Sequence, residues 1–339
     1  MTLEQIKELI NGHEYDFLRS EQRLGDKICL LTLGGSHAYG TSVEGSDVDV
    51  RGCAMNTIGD LLGITAFEQY AEQKTDTVIY GFKKLIGLLT ECNPNIIEML
   101  GCRPEHYFRL DDTGRALLEN KKLFLSQRAA HSFGGYATQQ LRRLENAIAV
   151  DRVPQSQTEE HLRGALERTV KSFDDRFADF ENGGIKLYTA ESRREGLDTE
   201  IFCDMDIRGY PARELGVLLN SLSNVVSTYE KLNHRGRKKD DEHLDKHAMH
   251  LVRLYLMSFD ILEKGEIITY RENERDFLLS IRGGAFRNED GTYKPEFFEL
   301  IDGYDKRFRY AKENTSLPVS PDLGRIEEFT ADCVMRSLR

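Results

Sequence analysis

Two short groups of residues have the types and the spacing to do chemistry together: Gly34-Gly35-Ser36 and, a little further on, Ser46-Asp47-Val48-Asp49-Val50. The first follows the apolar run Ile28–Leu33, which reads as a strand. Glycines at the end of a strand remove β-carbons and let the backbone approach a ligand closely. Ser36 falls where a helix can begin, so free N–H groups and a hydroxyl point at one spot, an arrangement that binds phosphate. Asp47 and Asp49 lie two apart in a β-type run and therefore project to one side. Carboxylates so close repel, and each holds a proton unless a cation neutralises the pair. Hard oxygen donors on an extended backbone suit Mg²⁺, which takes one or two carboxylates plus substrate phosphates. A phosphate cradle facing a divalent-metal pair is the apparatus of phosphoryl or nucleotidyl transfer.

The elements that must position these groups show two regimes. Up to about residue 112 the apolar residues come in short runs, at 28–33, 48–55 and 77–82, between helix-like stretches such as Leu3–Ile10 and Lys83–Glu91. That alternation predicts an α/β (α+β) unit with a small mixed sheet. Beyond it, stretches such as Ala212–Leu232 and Lys246–Gly265 repeat apolar residues at three- and four-residue steps, which is helical. The expected domains are therefore 1–112, catalytic, and 113–339, mostly α-helical, which would help bind nucleotide or acceptor. The basic loop Arg235-Gly236-Arg237-Lys238-Lys239 reads as a solvated turn, since Asp240-Asp241-Glu242 follow at once.

Composition narrows the partners. The 339 residues carry 46 basic and 57 acidic side chains, a net charge of −11. Long duplex DNA is a poor partner for such a chain, because its binding rests on many Lys/Arg–phosphate contacts. A local basic groove stays compatible with it. The six cysteines have no metal-type spacing and read as reduced thiols. No apolar stretch approaches the length of a membrane span, and Glu4 sits where a leader would be apolar, so the expected setting is cytoplasmic.

Gly35-Ser36-x-Ala38-Tyr39-Gly40-Thr41 followed by Ser46-Asp47-x-Asp49-x-Arg51-Gly52 resembles the signature of the DNA polymerase β-like nucleotidyltransferase superfamily. The Ala-Tyr-Gly-Thr and Asp-Val-Arg-Gly extensions resemble one branch, the RNA ligase-associated (RlaP-type) family. Asn93-Pro94-Asn95-Ile96-Ile97-Glu98, Lys246–Arg253, Ile281-Arg282-x-Gly284 and Leu317-Pro318 are further matches.

The resemblance implies a polymerase β-like catalytic domain and a third carboxylate on a neighbouring strand. Asp76, which opens the β-branched run Thr77–Tyr80, is the choice; Glu98, after the helix start Asn93-Pro94-Asn95, is the rival. The expected metal ligands and catalytic acids are thus Asp47, Asp49 and Asp76, holding two Mg²⁺ ions, with Mn²⁺ as a substitute. The expected nucleotide-binding residues are Gly35, Ser36, Tyr39 and Ser46, joined by Lys246, His250 and Arg253. These last three share one helix face, which reads equally well as a phosphate grip or as a surface stripe. Arg282 reads as a phosphate ligand or as part of an ordinary loop.

The reaction so implied is transfer of a nucleoside monophosphate from a nucleoside triphosphate to an acceptor hydroxyl, with release of pyrophosphate. The expected acceptor is an RNA end, with an RNA ligase as a candidate partner. Two alternatives stay open: adenylylation of a protein hydroxyl, as in toxin–antitoxin pairs, and a non-catalytic nucleotide-binding or scaffold protein.

Overall fold

The computed structural model describes residues 1–64, 66–152, 155–174, 184–192, 199–206, 211–234, 241–288 and 292–338. The basic loop Arg235–Lys239 lies outside the described residues.

Five strands form a mixed sheet in the N-terminal region: β1 (Ile28–Leu33), β2 (Val50–Ala54), β3 (Gln69–Glu72), β4 (Thr77–Gly81) and β5 (Tyr107–Leu110), in the order β3-β4-β2-β1-β5. β1 lies antiparallel to β2 and to β5, while β2 and β4 run parallel with Val50 opposite Thr77. This is the mixed sheet expected of the apolar runs, and the C-terminal part is mostly helical, as the three- and four-residue spacing requires. β1 is buried along its whole length, which matches its apolar run, and the one polar member, Thr32, donates its hydroxyl to the His106 carbonyl at 3.2 Å. The core of this region joins Ile28, Leu31, Leu33, Val50, Ala54 and Ile79 of the sheet to Ile6 and Ile10 of the helix Leu3–Asn11. That helix starts on a capping box, with the Thr2 side chain and Gln5 each bonding the other's backbone.

The chain divides into two compact units. The first comprises 1–138, 249–287 and 293–339, and the second comprises 139–248 and 288–292. The division does not follow an expected boundary at residue 112, because late segments fold into the first unit. The physical reason lies in pairings that the linear pattern does not carry. Thr269 N–H donates to the Gly101 carbonyl at 3.1 Å, and Arg271 N–H to the Tyr39 carbonyl at 3.0 Å.

The second unit contains an antiparallel hairpin, β6 (Ile185–Glu191) with β7 (Thr199–Met205), in a stretch expected to be mostly helical. Its alternation of Ile185 and Leu187 with polar neighbours is strand-like, and Tyr188 stacks on Phe202 across the pair at 5.8 Å. Leu187 is buried with Leu162, Leu166, Val170 and Val225. All six cysteines are free. No helix among the described residues is long and apolar enough to cross a membrane.

Candidate active site

β1 ends at Leu33, and Gly34 is extended before the short helix Gly35–Tyr39. Gly34 N–H donates to the Asp49 carbonyl at 2.8 Å, which ties the turn to the approach to β2. Gly35 has φ +55°. A β-carbon there would lie 1.7 Å from Asp49 Oδ2, so the Asp49 carboxylate occupies the space that any other residue's side chain would need. The phosphate-type turn and the second acid of the pair are thereby packed directly together. Gly35, Ser36 and His37 open the helix, and the first N–H groups of a helix have no partner inside it.

Asp47 and Asp49 precede β2 instead of lying within it, since the strand opens at Val50. Their side chains still alternate with a buried pair, Val48 and Val50, as extended backbone dictates. Asp47 is exposed and Asp49 half-buried.

The parallel register brings Asp76, the expected third acid, beside Asp49. With Val50 opposite Thr77 and Val50 N–H donating to the Asp76 carbonyl at 3.3 Å, Asp49 and Asp76 are neighbours where the two strands begin, and side chains 78 and 80 project with 51. Asp76 sits in the turn just before β4, at φ +40°. Between the two acids lies Arg51. Its Nη2 stands 3.4 Å from Asp49 Oδ1 and 3.0 Å from Asp76 Oδ1. Its Nη1 donates to the Val50 carbonyl at 3.0 Å and to the Asp76 carbonyl.

Glu98, the rival third acid, has another occupation. It is buried, accepts from the Tyr39 hydroxyl at 2.5 Å and pairs with Arg253 Nη1 at 3.3 Å. The Arg253 guanidinium lies 3.5 Å from the centre of the Tyr39 ring. Burial raises the Glu98 carboxyl above its ordinary range, against the pull of Arg253 and of the Tyr39 hydroxyl. Burial likewise pushes the Tyr39 phenol well up.

Tyr39 and Arg253, expected beside the nucleotide, meet Glu98 and each other. Both are buried inside the fold, Arg253 being only 1% exposed, because the late segment 249–287 belongs to this unit. His250 shares a 2.9 Å contact with Arg253 Nη2 and meets Tyr136 edge-on. Lys246, on the same helix (Asp241–Phe259), is exposed and belongs to the second unit. The three do not form one free cationic stripe.

What sequence reasoning missed is Arg275, which together with Arg282 holds the loop between the two motifs. Arg282 donates to the Thr41 carbonyl at 2.7 Å and to Ser46 Oγ at 3.4 Å, while Arg275 donates to the Gly40 carbonyl at 2.9 Å. Ser46 Oγ also accepts from Val43 N–H at 2.9 Å, closing the turn that leads into Asp47. Ser46 thus shapes its own loop. The motif Ile281-Arg282-x-Gly284 was the available signal, and its arginine braces the backbone of this loop.

Among the described residues, no three His, Cys, Asp or Glu side chains converge as a metal cage. The chemistry of the donors nonetheless fits a hard divalent cation. Asp49 and Asp76 turn oxygens toward one cationic nitrogen, and Mg²⁺ needs only one or two carboxylates when substrate phosphates supply the rest.

Residues 9–163 match the family model RlaP, described as the RNA repair pathway DNA polymerase beta family. The match supports a nucleotidyltransferase-type function in general terms. The likenesses noted at Lys246–Arg253, Ile281–Gly284 and Leu317-Pro318 lie beyond it. No curated protein and no solved structure matches the chain.

Proposed function

We propose that the protein is a metal-dependent nucleotidyltransferase that moves a nucleoside monophosphate from a nucleoside triphosphate to an acceptor hydroxyl, releasing pyrophosphate. The observation that carries this reading is the Asp49 carboxylate packed against the α-carbon of Gly35. It brings a carboxylate known to suit divalent cations to the one turn whose open amides suit phosphate.

Gly35, Ser36 and the amides that open the helix bind the β- and γ-phosphates, with the Ser36 hydroxyl as a further donor. Asp47, Asp49 and Asp76 are the residues that would hold Mg²⁺ or Mn²⁺. When bound, such ions neutralise charge on the entering and leaving oxygens of an in-line displacement. Asp76, on the neighbouring strand end, is the group to accept the proton of the attacking hydroxyl. The hydroxyl oxygen bonds to the α-phosphorus, the bond to the bridging oxygen breaks, and pyrophosphate leaves. Arg282 and Arg275 keep the loop before Asp47 in place while charge shifts beside it. The acceptor is an RNA end, consistent with the RNA repair description of the matching family. An RNA ligase working on the same ends is the candidate partner, in the cytoplasm.

The test is incubation with α-labelled nucleoside triphosphates and either total RNA or total protein. Label in the RNA fraction is expected, falling at least about 100-fold in the folded Asp47→Asn/Asp49→Asn variant, as loss of a principal charge-stabilising group requires. Label in protein alone overturns the RNA acceptor. Full transfer by the double variant overturns the assignment.

A further inference from the structure

We infer that Arg51 is the built-in counter-ion of the carboxylate site: its guanidinium occupies the place between Asp49 and Asp76 that a divalent cation takes, so the cation enters by displacing it. The inference rests on the reading of Asp49 and Asp76 as cation ligands. Two observations carry it. A single nitrogen, Nη2, faces Oδ1 of both acids, at 3.4 and 3.0 Å, as a shared cation would. The parallel register of β2 and β4 starts at Val50 and Thr77, and Val50 N–H donates to the Asp76 carbonyl at 3.3 Å, so the two acids stay neighbours whether or not Arg51 lies between them.

The physics makes the arrangement a switch between two cations. Side-by-side carboxylates are unfavourable without a positive charge, and a guanidinium supplies one with directed N–H donors. The site is half-open to solvent: the side chains of Asp49 and Arg51 are 18% and 21% exposed, that of Asp76 57%. Such ion pairs are weak, so a divalent ion with phosphate oxygens to complete its shell can replace the arginine. Arg51 is also tied to the Val50 and Asp76 carbonyls through Nη1, which keeps it beside the site as a competitor.

The experiment measures Mn²⁺ binding, with no nucleotide, by electron paramagnetic resonance of the free ion. Arg51→Gln is expected to bind Mn²⁺ about two- to fivefold more tightly than wild type, the range set by partly exposed ion pairs, while Arg51→Lys stays near wild type. Reaction of the wild-type protein with phenylglyoxal, read as the adduct on the Arg51 peptide, supplies a measurement that needs no variant. Saturating Mn²⁺ is expected to speed modification of Arg51 relative to the exposed Arg309. Unchanged or weaker Mn²⁺ binding in a folded Arg51→Gln, or an adduct rate that Mn²⁺ leaves unchanged or slows, overturns the inference while leaving the nucleotidyltransferase reading standing. Mn²⁺ binding that Asp49→Asn does not weaken overturns the cation site itself, and the inference with it.

Discussion

Asp49 and Gly35 meet so closely that the carboxylate of one fills the space where the other would carry a β-carbon. The contact joins two motifs separated in sequence, and it makes Gly35 the least replaceable residue of the turn. Gly35→Ala must relieve both the clash and a φ of +55°. A cost of about 1–3 kcal/mol is expected for such backbone strain. The expected outcome is a lowered Tm together with near-complete loss of pyrophosphate release. A variant with wild-type activity would mean that Asp49 need not lie against the turn.

Arg282 offers a separation of stability from function. Its bonds go to the Thr41 carbonyl and Ser46 Oγ. Arg282→Ala is expected to lower stability by about 1 kcal/mol, the order of a lost charged hydrogen bond. Transfer should fall more steeply, about tenfold, because the loop before Asp47 loses its brace and a small misplacement is costly in rate. Thermal melts alongside initial rates check this.

The Glu98–Arg253 pair predicts non-additive energetics. Each residue alone is a buried charge once its partner is gone, so Glu98→Gln or Arg253→Met should cost about 3–5 kcal/mol. The double variant should cost less than the sum. Urea unfolding of all four proteins gives the coupling directly, and strict additivity would show that the pair does not act as one.

His106 predicts a pH dependence. Burial holds its imidazole below the ordinary 6.5, with Arg103 adding to the effect and Glu105 opposing it. The folded state therefore binds fewer protons than the unfolded chain between the lowered value and 6.5. The stability this neutral ring contributes is complete above 6.5 and is lost as pH falls through that window. His106→Gln should flatten the decline of Tm below about pH 6.5, as removal of one such titration requires. An unchanged slope would remove His106 from the account.

Much of this protein is written locally. Strand β1, the Gly-Gly-Ser turn, the alternation that sets Asp47 and Asp49 on one side, and the helical spacing of the later segments all follow from neighbours in sequence. Residue type and period decide them before any long-range contact forms. Tertiary structure alone decided what those side chains meet. The parallel pairing of β2 with β4 set Asp76 beside Asp49 and left Arg51 between them. The return of segment 249–287 to the first unit buried Arg253 against Glu98 and Tyr39, turning a presumed phosphate grip into an internal ion pair. Neither outcome has a local signal, because an arginine on a helix face or a strand has the same sequence pattern in solvent as in a core. Only the pairing of distant backbone, and the desolvation it imposes, distinguishes them.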